Sequence, residues 1–172
     1  LGNKFLANIR EADAIAQVVR GFADSDVIHV DGKVDAGGDI ETINTELILA
    51  DMQTLEKARP RLEKEVKGKK VDPSVLVVID EALACLNAGT PLSLSNIDLE
   101  PIRELGLLTA KPILFVFNVD EEVLGSPERL QELASLVKPA EAVFLDAKVE
   151  SELIDLSPEE ANELLASLGQ NE

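Results

Sequence analysis

Between Ile40 and Val66 the chain keeps a helical beat: Ile40, Ile43, Leu47, Ala50, Thr54, Ala58, Leu62 and Val66 recur at steps of three or four. The pattern predicts one long amphipathic helix. The Gly37-Gly38 pair closes the loop before it, Asp39 is its expected cap, and Glu41 and Thr42 fill its first turn. Pro60 is expected to kink or interrupt it, because proline lacks a donor and crowds the preceding turn. Gly68 then offers an exit. A second helix opens with Asp72 as cap and Pro73 at its first position. Val75, Leu76, Ile79, Leu83 and Leu86 form its apolar side, and Gly89 with Pro91 ends it. With so short a link, an antiparallel hairpin is the economical arrangement. It reads as a projecting coiled-coil-like arm, although the spacings are not a strict heptad.

The flanks follow other rhythms. "LGNKFLANIRE" reads as a short amphipathic helix with Phe5, Leu6 and Ile9 on one side and Asn3, Lys4, Asn8 and Arg10 left wet. "ADAIAQVVRGF" fits helix or strand by periodicity, and its short span before Gly21 favours a strand. "DVIHVDG" adds an extended piece ending at the Asp31-Gly32 turn. Further on, Ile102, Leu105 and Leu108 mark a packed segment, and Ile113 to Phe117 is the unbroken apolar run of a strand buried on both faces. A helix capped by Ser126 with Pro127 behind it would bury Leu130, Leu133, Leu136 and Val137. A strand from Ala142 to Leu145 ends at Asp146. "SPEEANELLASLG" makes a last helix from Ser157 towards Gly169. Strand, helix, strand, helix is the order of a three-layer α/β unit. The polar run from Asn118 to Glu122 is then either a strand surfacing or the edge of a site, since ligands gather at the carboxyl ends of such strands.

Charge alters the picture at one place. The chain of 172 residues carries a formal net charge of -17, which opposes nucleic-acid binding by its surface as a whole. Yet Lys57, Arg59, Arg61, Lys64, Lys67, Lys69 and Lys70 crowd the end of the first hairpin helix, with Glu56, Glu63 and Glu65 among them. This tip is either a solvated surface or a contact for RNA phosphates or another macromolecule. It carries no aromatic stacking set. Cys85 lies among Leu83, Ala84 and Leu86 as a buried helical thiol, and His29, without a second His, reads as a packed or surface residue. The absence of a spanning apolar stretch or a signal peptide leads to the expectation of a soluble, cytoplasmic protein with no membrane partner. No Gly-rich phosphate loop, catalytic set or metal-ligand set stands in the sequence.

The blocks "LGNKFLANIRE", "GGDIETINTELILAD", "LTAKP" and "NVDEE" resemble, in order and spacing, the YchF/Obg-like ATPase family of Obg-related P-loop NTPases. The resemblance covers essentially the whole chain. It implies an incomplete α/β P-loop NTPase domain: residues 1–38 as its first part, 39–89 as an inserted coiled-coil arm, and 90–172 as its base-recognition part. The family's phosphate loop, first switch and Asp-x-x-Gly motif would precede Leu1, and its TGS domain would follow Glu172. Asn118 is then the leading base contact, and Glu121, in the family's Asn-x-x-Glu pattern, sets a preference for ATP over GTP. Ala147 and Lys148 fall in the second base-side loop, where Ala147 permits close backbone contact and Lys148 covers a ring face. Asp146 departs from the small polar residue usual there. The complete parent is expected to use ATP and Mg²⁺, with GTP less preferred, and to act with the ribosome, RNA or a translation or stress partner. These residues alone are expected not to hydrolyse ATP. The competing reading is a helical-arm module that binds RNA or protein through Arg59, Arg61, Lys64, Lys67, Lys69 and Lys70 without catalysis.

Overall fold

The computed structural model describes residues 2–22, 35–154 and 156–167. The extended piece expected at "DVIHVDG", His29 and the stop near Gly169 lie outside them. The elements are α1 (Asn3–Glu11), β1 (Ile15–Arg20), α2 (Ala36–Lys67), α3 (Ser74–Asn87), β2 (Ile113–Asn118), α4 (Glu121–Leu124), α5 (Pro127–Ser135), β3 (Glu141–Leu145), α6 (Ala147–Leu153) and α7 (Pro158–Ser167). Two short 3₁₀ turns, Leu92–Leu94 and Glu100–Leu105, lie between α3 and β2. This is a mixed α/β chain with a small sheet. It divides into two compact units, Leu1–Ile15 with Gly38–Pro112, and Ala16–Gly37 with Ile113–Glu172.

In the first unit α2 and α3 fold back on each other over a shared apolar core. Leu55, Leu62, Val75, Ile79, Ala82 and Leu86 are buried in it, closed by Leu92, Ile102 and Leu107. Cys85 packs half-buried against this core, its thiol donating to Thr90 O at 3.4 Å. Several sequence expectations shift here. The helix α2 takes up Gly37, Gly38 and Asp39, and Thr42 Oγ1 donates back to Gly38 O. A glycine costs a helix only about 1 kcal/mol, too little to stop one of this length. Nor does Pro60 interrupt it, since the helix continues through that residue while Leu55, Ala58 and Leu62 stay buried around it. The exit is one residue late. Lys69, not Gly68, takes the left-handed conformation (φ 57°), with Lys69 N–H on Val66 O and Lys70 N–H on Glu65 O. Asp72 does cap, accepting from Ser74 N–H at 2.8 Å, and the Ser74 side chain together with that N–H holds its carboxyl below the ordinary value, but the regular helix begins at Ser74 rather than Pro73.

The buried side of α2 also passes through a residue the apolar stripe skipped. Asp51 is fully buried, while Ala50 and Thr54 are only partly so. Its two oxygens accept from Leu108 N–H (2.8 Å), Thr109 N–H (2.7 Å) and Thr109 Oγ1 (2.8 Å). Arg10 stands 3.8 Å away and donates to Gly106 O and Thr54 Oγ1. Lys111 reaches Arg10 O and Ala12 O. Arg10 is therefore not one of the wet residues of α1, whereas Phe5, expected on its packed side, is half exposed.

In the second unit the sheet order is β1-β2-β3, and β2 and β3 run parallel, Phe117 opposite Phe144 and Asn118 opposite Leu145. Phe115 and Phe117 are buried and the alternate residues of β2 half-buried, so the strand is covered more on one face than the other. The α5 helix stops at Ser135 and leaves Leu136 exposed, while Val137 is buried beyond its end. Ser126 stands at its N-cap without a side-chain bond. At α7 Ser157 and Glu160 cap reciprocally, Ser157 N–H donating to Glu160 Oε2 at 3.0 Å and Glu160 N–H to Ser157 Oγ at 3.4 Å.

Candidate nucleotide-base site

The second unit brings two polar loops together at the carboxyl ends of β2 and β3. Beneath them Phe117 and Phe144 stack with ring centroids 5.3 Å apart, and Val119 N–H donates to Leu145 O at 2.9 Å. Asn118, the last residue of β2, sits half-buried on this base. Its Oδ1 accepts from Ala147 N–H at 3.0 Å, so the two loops are hydrogen-bonded through the asparagine side chain. Its main-chain oxygen accepts from Gly21 N–H at 2.8 Å. Gly21 comes so close that a Cβ there would lie 2.7 Å from Val119 Cγ1 and 3.2 Å from Leu133 Cδ1. Glycine is needed at that point for proximity, not for its backbone angles.

Both loops turn at once into short helices that the apolar pattern did not signal. Asp120 caps α4 by accepting from Val123 N–H at 2.9 Å. Asp146 caps α6 by accepting from Lys148 N–H (2.9 Å) and Val149 N–H (3.2 Å). That gives Asp146 a definite local role. The signal was present as an aspartate followed by acids in the first turn, Glu121-Glu122 after Asp120 and Glu150 after Asp146.

Of the four residues expected at the base site, Asn118 and Ala147 are in direct contact. Glu121 opens α4 and Lys148 lies in the first turn of α6, both exposed. Neither side chain bonds to another described residue, whereas the neighbouring Glu122 pairs with Arg129 at 3.0 Å. Among the described residues no cluster of three His, Cys, Asp or Glu side chains could hold a metal ion, and no helix is long and apolar enough to cross a membrane.

The basic stretch lies in the first unit, on α2 and the turn after it. Arg59 clasps Asp80 of α3 through Nε (2.7 Å) and Nη2 (3.1 Å), which holds the Asp80 carboxyl below its ordinary value. Lys67 pairs with Glu63 at 2.8 Å, and Arg61 lies 3.6 Å from Glu104. Lys64, Lys69 and Lys70 are exposed.

No protein-family model matches the chain. Individual proteins do. It is 41% identical to the ribosome-binding ATPase YchF of Bacillus subtilis (strain 168), covering 100% of this chain and 50% of that protein. It is 34% identical to Obg-like ATPase 1 of Saccharomyces cerevisiae, over 98% of this chain and 46% of the yeast protein. A solved structure titled as the Schizosaccharomyces pombe YchF GTPase superposes with a TM-score of 0.83 at 29% identity, covering 99% of this chain and 50% of that one. The chain thus spans about half the length of the relatives it matches. With that likeness running from end to end in both sequence and fold, the chain belongs to the YchF/Obg-like ATPase family.

Proposed function

We propose that this chain carries the base-recognition side of a nucleotide-binding ATPase, and that the complete protein prefers ATP to GTP. The observation behind this reading is the 3.0 Å bond from Ala147 N–H to Asn118 Oδ1. It commits the carboxamide oxygen to the protein and fixes the rotamer, so the Nδ2 group remains as a donor at the strand ends, where an acceptor on a purine edge can meet it. Glu121 can only accept when ionised. It therefore reads donor groups on the base, and its extra methylene relative to Asp changes where it reads. Ala147 leaves room for the base against the backbone, and Lys148 covers a ring face.

The residues fit a purine base. The phosphates and Mg²⁺ of the complete protein need positioning groups of another kind, and these 172 residues contain no phosphate loop. Hydrolysis accordingly belongs to the complete protein and not to this chain alone. The names of the relatives include both ATPase and GTPase, so base preference is the point to test. In the full-length protein Asn118→Ala should weaken ATP binding by about 1–3 kcal/mol, read by calorimetry. Unchanged affinity in a folded variant removes Asn118 from the site. Glu121→Asp should shift the ATP:GTP affinity ratio, and an unmoved ratio leaves Glu121 a residue of α4 only.

Ribosome association, a cytoplasmic location and a coiled-coil arm that meets the partner complete the reading, supported by relatives named as ribosome-binding ATPases. The non-catalytic alternative, an arm that binds RNA or protein, draws on the basic stretch after Glu56.

A further inference from the structure

We propose that the last turns of α2 and the turn after it form a docking strip for an RNA phosphate backbone, carried by Lys57, Lys64, Lys69 and Lys70 and not by Arg59 or Lys67. The choice of RNA rests on the ribosome-associated reading above; the choice of residues rests on geometry.

The seven cations from Lys57 to Lys70 fall into three groups. Arg59 and Lys67 belong to a closed group with Asp80 and Glu63, two cations against two carboxylates, at distances from 2.7 to 4.0 Å. That group ties α2 to α3 and has no charge left over. Arg61 faces Glu104 at 3.6 Å, with both side chains largely in water. Lys57, Lys64, Lys69 and Lys70 are exposed, and no carboxylate among the described residues lies within ion-pair distance of them. Lys57 and Lys64 are seven residues apart on one helix, so they share a face about 10 Å apart with Arg61 between them. Glu56 and Glu65 are the acids of this stretch outside the closed group.

The turn supplies a second, independent observation. Its two hydrogen bonds, Lys70 N–H to Glu65 O and Lys69 N–H to Val66 O, both 2.9 Å, are those of a helix end closed by a left-handed residue. Glycine fills that position without steric cost, and Gly68 stands immediately before it. The chain nonetheless holds Lys69 there at φ 57°. A side chain kept at an exposed and strained position points to use of that side chain.

The open groups are ammonium point charges on flexible stems, which meet phosphate oxygens without a fixed geometry, while the forked guanidinium of Arg59 is consumed by Asp80. No aromatic residue stands between Lys57 and Lys70, so bases are not stacked and sequence is not read.

The test uses the full-length protein, a short single-stranded RNA, poly-glutamate as an acidic polypeptide, and ATP calorimetry in parallel. Lys57, Lys64, Lys69 and Lys70 replaced together by Gln should lower the slope of log affinity against log salt by about 3, at ~0.7 per phosphate. Arg59→Gln with Lys67→Gln should change it by less than about one. Lys69→Gly removes a charge while relieving the backbone, so it should cost about 0.7 of slope with no loss of thermal stability. An unchanged slope in the fourfold variant overturns the proposal. So does an equal fall in the Arg59/Lys67 variant, or binding of poly-glutamate in place of RNA. ATP affinity reports separately on the base site: its failure removes the nucleotide reading and leaves the salt slopes to decide this one.

Discussion

Replacing Asp51 by Asn removes a charge and an acceptor from the centre of the first unit with almost no change in volume. The carboxylate now serves two main-chain donors and one hydroxyl, at 2.7–2.8 Å, in a fully buried position. The amide keeps one oxygen and turns a second donor towards an N–H that has nowhere else to go. An orphaned buried donor costs about 1–3 kcal/mol, and the Arg10 pair is lost as well, so Asp51→Asn should destabilise the unit by about 2–4 kcal/mol. Asp51→Ala, which orphans both N–H groups, should cost about 3–5 kcal/mol. Urea unfolding of the full-length protein and its variants, followed by circular dichroism, measures this. Stability within about 0.5 kcal/mol of the parent would show that the cluster is not the clasp its geometry describes. The pH dependence has a definite sign. Burial, the largest influence, holds the Asp51 carboxyl above its ordinary 3.8, against the pull of the Thr109 and Leu108 hydrogen bonds and Arg10. Above 3.8 the unfolded chain has released a proton that the folded chain still holds. The contribution is therefore fully present below that pH and is lost as pH rises through the folded value. The margin of the parent over Asp51→Asn should narrow from acid towards neutral pH; a widening margin would mean that the hydrogen bonds outweigh burial.

Gly21→Ala should destabilise the second unit by about 1–3 kcal/mol and weaken nucleotide binding in the complete protein, because its Cβ would press on Val119 beside Asn118. Equal stability and affinity would show that Val119 can move aside. Ser157→Ala should speed amide exchange at Glu160 by about fivefold through loss of its capping bond, with little effect on nucleotide affinity. Exchange at the parent rate would mean that Glu160 holds the helix end alone.

The elements that could be read from the sequence are those whose apolar pattern is long or dense. The period of α2 and α3 reports burial directly, since each places its apolar side chains on the face it must cover, whereas the unbroken run of β2 marked a strand but not that one face is covered more than the other. Asn118, Glu121, Ala147 and Lys148 were legible as candidate site residues only through resemblance, because a polar strand end looks the same whether it binds a ligand or merely surfaces. What the pattern left undetermined depends on atoms distant in sequence. Gly21 matters because Val119 lies against it, and Asn118 because its side-chain oxygen finds Ala147 N–H across two strands. The seven cations after Glu56 read as one patch until Asp80 and Glu63 close around Arg59 and Lys67. Asp51 is the sharpest case. An aspartate within a helical stripe reads as solvent-facing, and only the donors of Leu108 and Thr109, more than fifty residues away, make its burial affordable. Periodicity records which side of an element is covered, but a buried charge is decided by the partner that meets it, and that partner is supplied by the fold.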